Sequence, residues 1–111
     1  MNVTSGLAFS PLAIIPIYCA TKAALHSFTM SLRKQLEKTS VKVFELAPPM
    51  VDTDLGGGNR DQRGVVDRGI KPIEVAIEMI KGLEKDTYEI LVGGAANLKA
   101  NSEKMFTIMN Q

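Results

Sequence analysis

The sequence holds a single cysteine, Cys19, so no disulfide can close within the chain, and no Cys/His spacing suggests a structural metal site. Charge of either sign is not in excess: thirteen Lys+Arg stand against twelve Asp+Glu, a formal +1. That balance offers no basic field for nucleic acid and no acidic tail. The apolar run Leu12–Ile17 is broken by Pro16 and is far too short to span a bilayer. Met1–Ala20 lacks the basic start of a signal peptide. These absences lead to the expectation of a cytoplasmic protein that touches neither membrane nor nucleic acid. What is present is ordinary: 111 residues, 45% hydrophobic and 23% charged, enough for one small domain and too apolar for disorder.

Met1–Gly6 reads as the end of a strand running into a loop, with almost no strand before it. Such a stub buries too little to define a sheet edge, and we expect the chain to be the later part of something longer. Leu7–Pro16 follows as a mostly apolar loop. From Ile17 to about Lys38 the pattern is helical, with Ala20, Ala24, Phe28, Leu32 and Leu36 at i, i+4 intervals as the expected packing face. Val41–Ala47 reads as a strand, ended by Pro48-Pro49, neither of which can donate to a ladder. A long connection from Met50 to about Lys71 carries Gly56-Gly57-Gly58 and several charges. Pro72 suits the first turn of a second helix, whose face is expected to be Ile73, Ala76, Ile77, Ile80 and Leu83, fraying near Lys85-Asp86. Thr87–Val92 alternates as a second strand, closed by Gly93-Gly94, and Leu98–Met109 reads as a further helix. Strands alternating with helices predict an α/β fold with a parallel sheet and right-handed crossovers.

Tyr18 and Lys22 stand four residues apart at the start of the long helix, which stacks them on one face. A lysine charge within about 4–6 Å favours a phenolate, and a phenol so held can exchange a proton with a carbonyl or alcohol oxygen. Alone the spacing is weak, since chance supplies it in about one such chain in six. Context strengthens it. Ser5 lies thirteen residues before Tyr18, just past the strand stub, where its hydroxyl could bond the same oxygen. Further on, a strand runs into Ala47-Pro48-Pro49-Met50-Val51-Asp52-Thr53.

With these motifs in this order, the chain resembles the short-chain dehydrogenase/reductase superfamily. That family carries a Ser, then Tyr-x-x-x-Lys about thirteen residues later, then a strand ending in Pro-Gly-x-Val/Ile-x-Thr. The resemblance implies the C-terminal half of a Rossmann-like, doubly wound parallel sheet as one partial domain over residues 1–111. It implies Ser5, Tyr18 and Lys22 as the catalytic set, with Tyr18 as general acid/base, Lys22 lowering its pKa and holding the nicotinamide ribose, and Ser5 orienting the substrate. It implies NAD or NADP as cofactor, with Tyr18, Lys22, Pro48, Pro49, Val51 and Thr53 lying along the nicotinamide. It also implies a small alcohol or carbonyl substrate, a substrate loop from about Asp54 to Gly69, and a homo-oligomer built through the long helix.

Two departures stand out. Pro49 occupies the family's glycine position, which stiffens the turn and removes one backbone donor. The Pro-Pro pair is similar to a bacterial branch that includes the oxidoreductase of a D-alanine–lipoteichoic acid operon. More important, the Gly-rich dinucleotide fingerprint, the Asn-Asn-Ala-Gly segment and the catalytic asparagine, which precede the serine in that family, do not occur in these residues. Gly56-Gly57-Gly58 is no substitute, because it neither follows a strand directly nor opens a helix. The alternative to a working oxidoreductase is therefore a non-catalytic fragment held together by self-association. Cys19 reads as buried filler, His26 as a satisfied helix histidine, and Asp52 and Asp54 as solvated or capping groups rather than metal ligands.

Overall fold

The computed structural model describes residues 1–49 and 69–111. Among these, β1 (Asn2–Val3) leads through a 3-10 turn at Gly6–Ala8 to α1 (Pro16–Gln35), β2 (Glu45–Ala47), α2 (Pro72–Glu84), β3 (Glu89–Leu91), α3 (Ala95–Ala100) and α4 (Ser102–Met109). The strands form one parallel sheet in the order β1-β2-β3. Asn2 faces Glu45, which faces Glu89, and Leu46 lies between Val3 and Ile90. The fold is α/β and consistent with part of a Rossmann-like sheet, as the element order predicts.

The strands are shorter than their sequence patterns. Val41 and Lys42 are exposed and stand outside β2. Pairing nevertheless reaches past the strand ends, because the Asn2 amide donates to the Phe44 carbonyl and the Val92 amide to the Ala47 carbonyl. The final helix is two: the chain breaks at Asn101, which serves as C-cap of α3 and N-cap of α4.

The two faces of the sheet differ in chemistry, and this decides how each helix sits. Phe44, Leu46, Ile90 and Val92 project to one face and form the apolar core, covered by Ile70 and by Val75 and Met79 of α2. The opposite face presents Asn2, Thr4, Glu45 and Glu89, and α1 lies on it through hydrogen bonds. Asn2 Nδ2 donates to Thr29 Oγ1 at 3.0 Å, and the Arg33 guanidinium donates to the Val43 and Tyr88 carbonyls at 3.1 and 3.2 Å.

Both helix faces expected from apolar spacing are corrected in part: Leu32, Leu36 and Ala76 are half-buried as expected, and the rest of each line is not. On α1 the inward residues are Cys19, Lys22, Ala23, His26, Thr29 and Arg33, while Ala20, Ala24 and Phe28 point outward. On α2 the inward line is Val75, Met79 and the buried Gly82, and Ile73, Ile77 and Ile80 are exposed. Apolar periodicity finds the apolar side of a helix. It cannot know that a sheet offers polar groups to one helix and closer backbone approach to the other.

Candidate active site

The site begins with where the parallel strands end. Past β1, Ser5 adopts an extended backbone and caps the 3-10 turn, its Oγ accepting from the Leu7 amide at 3.1 Å. That bond uses one acceptor position and leaves the Ser5 hydroxyl hydrogen free to donate. The neighbouring Gly6 amide donates to the Pro48 carbonyl at 3.0 Å, which joins the ends of β1 and β2. Pro49 packs beside Gly93, where an added Cβ would come within 3.1 Å of the proline ring. Gly93 has a φ of +57°, a conformation that favours glycine and turns the chain from β3 into α3. Ser5, Pro48-Pro49 and Gly93 thus share the carboxyl edge of the sheet, where open α/β folds bind ligands.

Tyr18 and Lys22 come from the first turns of α1, with Pro16 at its first position preorganising the entry. The Lys22 ammonium donates to the Val3 carbonyl at 3.1 Å and lies 5.7 Å from the centre of the Tyr18 ring. One side chain therefore ties α1 to β1, two residues before Ser5, and sets a positive charge over the phenol. Tyr18 is 42% exposed, open to a ligand arriving at the sheet edge.

Of the residues predicted from sequence, Ser5, Pro48 and Pro49 lie at this edge, Lys22 reaches the end of β1, and Tyr18 lies beside Lys22. Val51, Thr53, the glycine triplet and Asp54–Arg68 lie outside the described residues. Cys19 is buried, with the Leu12 amide donating to its Sγ at 3.4 Å, in keeping with a filler. His26 is satisfied by a group that sequence reasoning passed over, the fully buried Glu45, whose carboxylate oxygens stand 2.8 and 2.9 Å from His26 Nδ1. Thr4 Oγ1 donates to the same carboxylate at 2.7 Å. Ligand atoms of His26, Glu45 and Glu89 all fall within 4.8 Å of one another, with Lys99 bonding the Glu89 carboxylate at 2.6 Å. The signal that could have found Glu45 is a lone acid inside Val43-Phe44-Glu45-Leu46-Ala47, a run that otherwise reads as buried.

The chemistry of this donor set suits the nicotinamide side of a dinucleotide. Its donors are one ammonium, on Lys22, and two hydroxyls, on Ser5 and Tyr18, groups able to donate to ligand oxygens. The sequence contains no G-x-G-x-x-G run of the kind that seats a pyrophosphate on a helix N-terminus. Among the described residues no helix is long and apolar enough to cross a membrane.

Comparison with known proteins agrees with the geometry. The short chain dehydrogenase family model matches residues 1–64. The chain is 48% identical, over 99% of its length, to the uncharacterized oxidoreductase DltE of Bacillus subtilis. It is 34% identical over 79% of its length to an uncharacterized oxidoreductase of Staphylococcus saprophyticus, and 45% identical over 52% to one of Staphylococcus epidermidis. The chain spans 45%, 36% and 25% of those three proteins, respectively. No solved structure matches.

Proposed function

The chain belongs to the short-chain dehydrogenase family, and on that premise we propose that it carries the nicotinamide- and substrate-facing half of an NAD(P)-dependent oxidoreductase acting on an alcohol/carbonyl pair. The observation that carries this reading is the Lys22 side chain, fixed on the Val3 carbonyl and 5.7 Å from the Tyr18 ring. NAD(P)H, when bound, supplies the hydride. The residues of this chain then do three things. Tyr18 gives its phenolic proton to the substrate oxygen, Lys22 stabilises the phenolate left behind, and Ser5 donates a hydrogen bond to the same oxygen. In the oxidising direction Tyr18 takes the proton back. Pro48 and Pro49 border the nicotinamide, and the loop beyond them selects the substrate. A cytoplasmic setting suits the lone free thiol of Cys19.

A second reading has its own support. The chain spans under half the length of its curated relatives, and α1 leaves Ile17 75% and Phe28 57% exposed. A non-catalytic fragment that self-associates through α1 fits both observations.

Titration of the chain with NADH and NADPH, read by nucleotide fluorescence or calorimetry, separates the two. Saturable binding, followed by turnover with a panel of aldehydes and ketones, supports the oxidoreductase and identifies the preferred nucleotide. No binding at millimolar nucleotide, together with a concentration-dependent mass, supports the fragment.

A further inference from the structure

Glu45 is a fully buried carboxylate at the start of the central strand. An ionised group in that place is strongly unfavourable unless paired and hydrogen-bonded. It is paired twice, by the Thr4 hydroxyl at 2.7 Å and by His26 Nδ1 at 2.8 and 2.9 Å. A carboxylate only accepts, so Nδ1 carries the hydrogen that points to it. The other face of the environment is also defined. The Phe9 ring meets the His26 ring edge-on at 4.8 Å, and Lys99 draws the neighbouring Glu89 carboxylate to itself at 2.6 Å.

The three partners come from α1, β2 and the residue that follows β1, and each lies within four residues of a residue of the candidate site. Thr4 immediately precedes Ser5. His26 lies one turn beyond Lys22 on α1. Glu45 lies three residues before Pro48 on β2. Replacing such a buried pair by apolar side chains is often neutral or stabilising, so burial energy alone does not account for a charge here. Hydrogen bonds, unlike apolar contact, are directional in distance and angle. A helix seated on the polar face of this sheet is therefore held in rotation and in register.

We infer that Glu45 is a positioning residue: by joining Thr4 to His26, its carboxylate fixes α1 against β1 so that Tyr18 and Lys22 meet Ser5. The meaning of those three residues rests on the proposed function. The tie between helix and strand does not.

The test compares the wild-type chain with the apolar pair Glu45→Leu/His26→Leu and with the conservative Glu45→Gln, which still accepts from Thr4. Melting temperature, nucleotide affinity, kcat and KM for carbonyl reduction are measured for each. Positioning predicts that the apolar pair keeps its melting temperature while kcat falls about tenfold or more at little-changed KM, with Glu45→Gln recovering much of the loss. A kcat within about threefold of wild type in the stably folded apolar pair overturns the inference. If the apolar pair fails to fold, Glu45→Gln/His26→Leu, which keeps the Thr4 bond but cuts the link to α1 without leaving an unpaired charge, replaces it under the same criteria. A wild-type chain that binds and turns over nothing counts against the proposed reaction. The tie is then decided by amide resonances: joint displacement of Ser5, Tyr18 and Lys22 in the apolar pair, reversed in Glu45→Gln, supports it. Displacements confined to the neighbours of residues 26 and 45 overturn it.

Discussion

Gly82 of α2 and Ile90 of β3 approach so closely that a Cβ on the glycine would stand 2.5 Å from Ile90 Cδ1 and 2.6 Å from Cγ1. Ile90 is buried in the core, between β2 and the helix, and has little freedom to withdraw. This contact sets the distance between α2 and the sheet, and it explains why the inward line of α2 runs through a glycine.

Gly82→Ala is therefore expected to destabilise the chain, although alanine is the better helix former. Overpacking costs typically about 1–3 kcal/mol, against a helix-propensity gain of about 1 kcal/mol. Trimming the partner in Gly82→Ala/Ile90→Val should recover part of the loss, a non-additivity expected of residues in contact. Urea denaturation of the two singles and the double measures it. A stabilised Gly82→Ala single would contradict the close approach.

Tyr18→Phe removes one oxygen from a half-exposed side chain and leaves the ring beside Lys22 in place. Folding should be nearly unaffected, within about 0.5 kcal/mol as for most surface substitutions. Nucleotide affinity should persist while turnover disappears, because only the proton donor is gone. Lys22→Ala should weaken both binding and turnover, since it loses the contact to Val3 and the charge near the phenol together. Near-normal turnover in Tyr18→Phe would refute the assigned role.

How much of this was legible in the sequence follows from what spacing can encode. Ser5, Tyr18 and Lys22 could be read because each motif lies on a short stretch whose element type is clear; the structure sets Ser5 just past β1 and Tyr18 and Lys22 in the first turns of α1, with the Lys22 ammonium on the Val3 carbonyl. The order of strands and helices could be read for the same reason. The helix faces could not. Ala20, Ala24 and Phe28 form the regular apolar line of α1, yet they face away from a sheet that presents Asn2, Thr4 and Glu45 beneath that helix. Glu45 itself was passed over because an acid alternating with Phe44 and Leu46 looks like the solvent side of a strand. Only the partner helix, with His26 at the matching height, makes it an inside residue.

Asp86 closes α2 with a φ of +53° and bonds Lys42 at 2.9 Å. Its hydrogen bond first, and its charge second, hold the Lys42 ammonium above the ordinary lysine value of 10.5. A raised pKa in the folded state gives stability that is fully present below the unfolded value and is lost as pH rises through the folded one. The pair should thus be felt at neutral pH and vanish in strong alkali. Both groups are exposed, so the effect is small and screened by salt. Asp86→Asn tolerates the same backbone conformation while removing the charge. Melting curves of wild type and Asp86→Asn should converge in alkali, once the Lys42 ammonium has lost its proton, and a gap that widened there would reverse the sign of the argument.

The outward line of α1 makes the strongest case for self-association. Ile17, Ala20, Ala24 and Phe28 fall on one stripe, with large exposed side chains at its ends and small ones between. Small residues at the centre let two helix backbones approach, and the flanking isoleucine and phenylalanine then bury most of their surface across the contact. A second copy of the same helix would supply the complementary stripe, as a two-fold contact requires. Sedimentation should give a mass that rises with concentration, and Ile17→Glu/Phe28→Glu should hold the chain as a monomer. Since neither side chain supports the core, the variant's melting at low concentration should match wild type, where both are monomeric. Unchanged association in the double variant would move the contact off α1. A loss of folding instead would mean that this stripe packs within the chain, against what its exposure indicates.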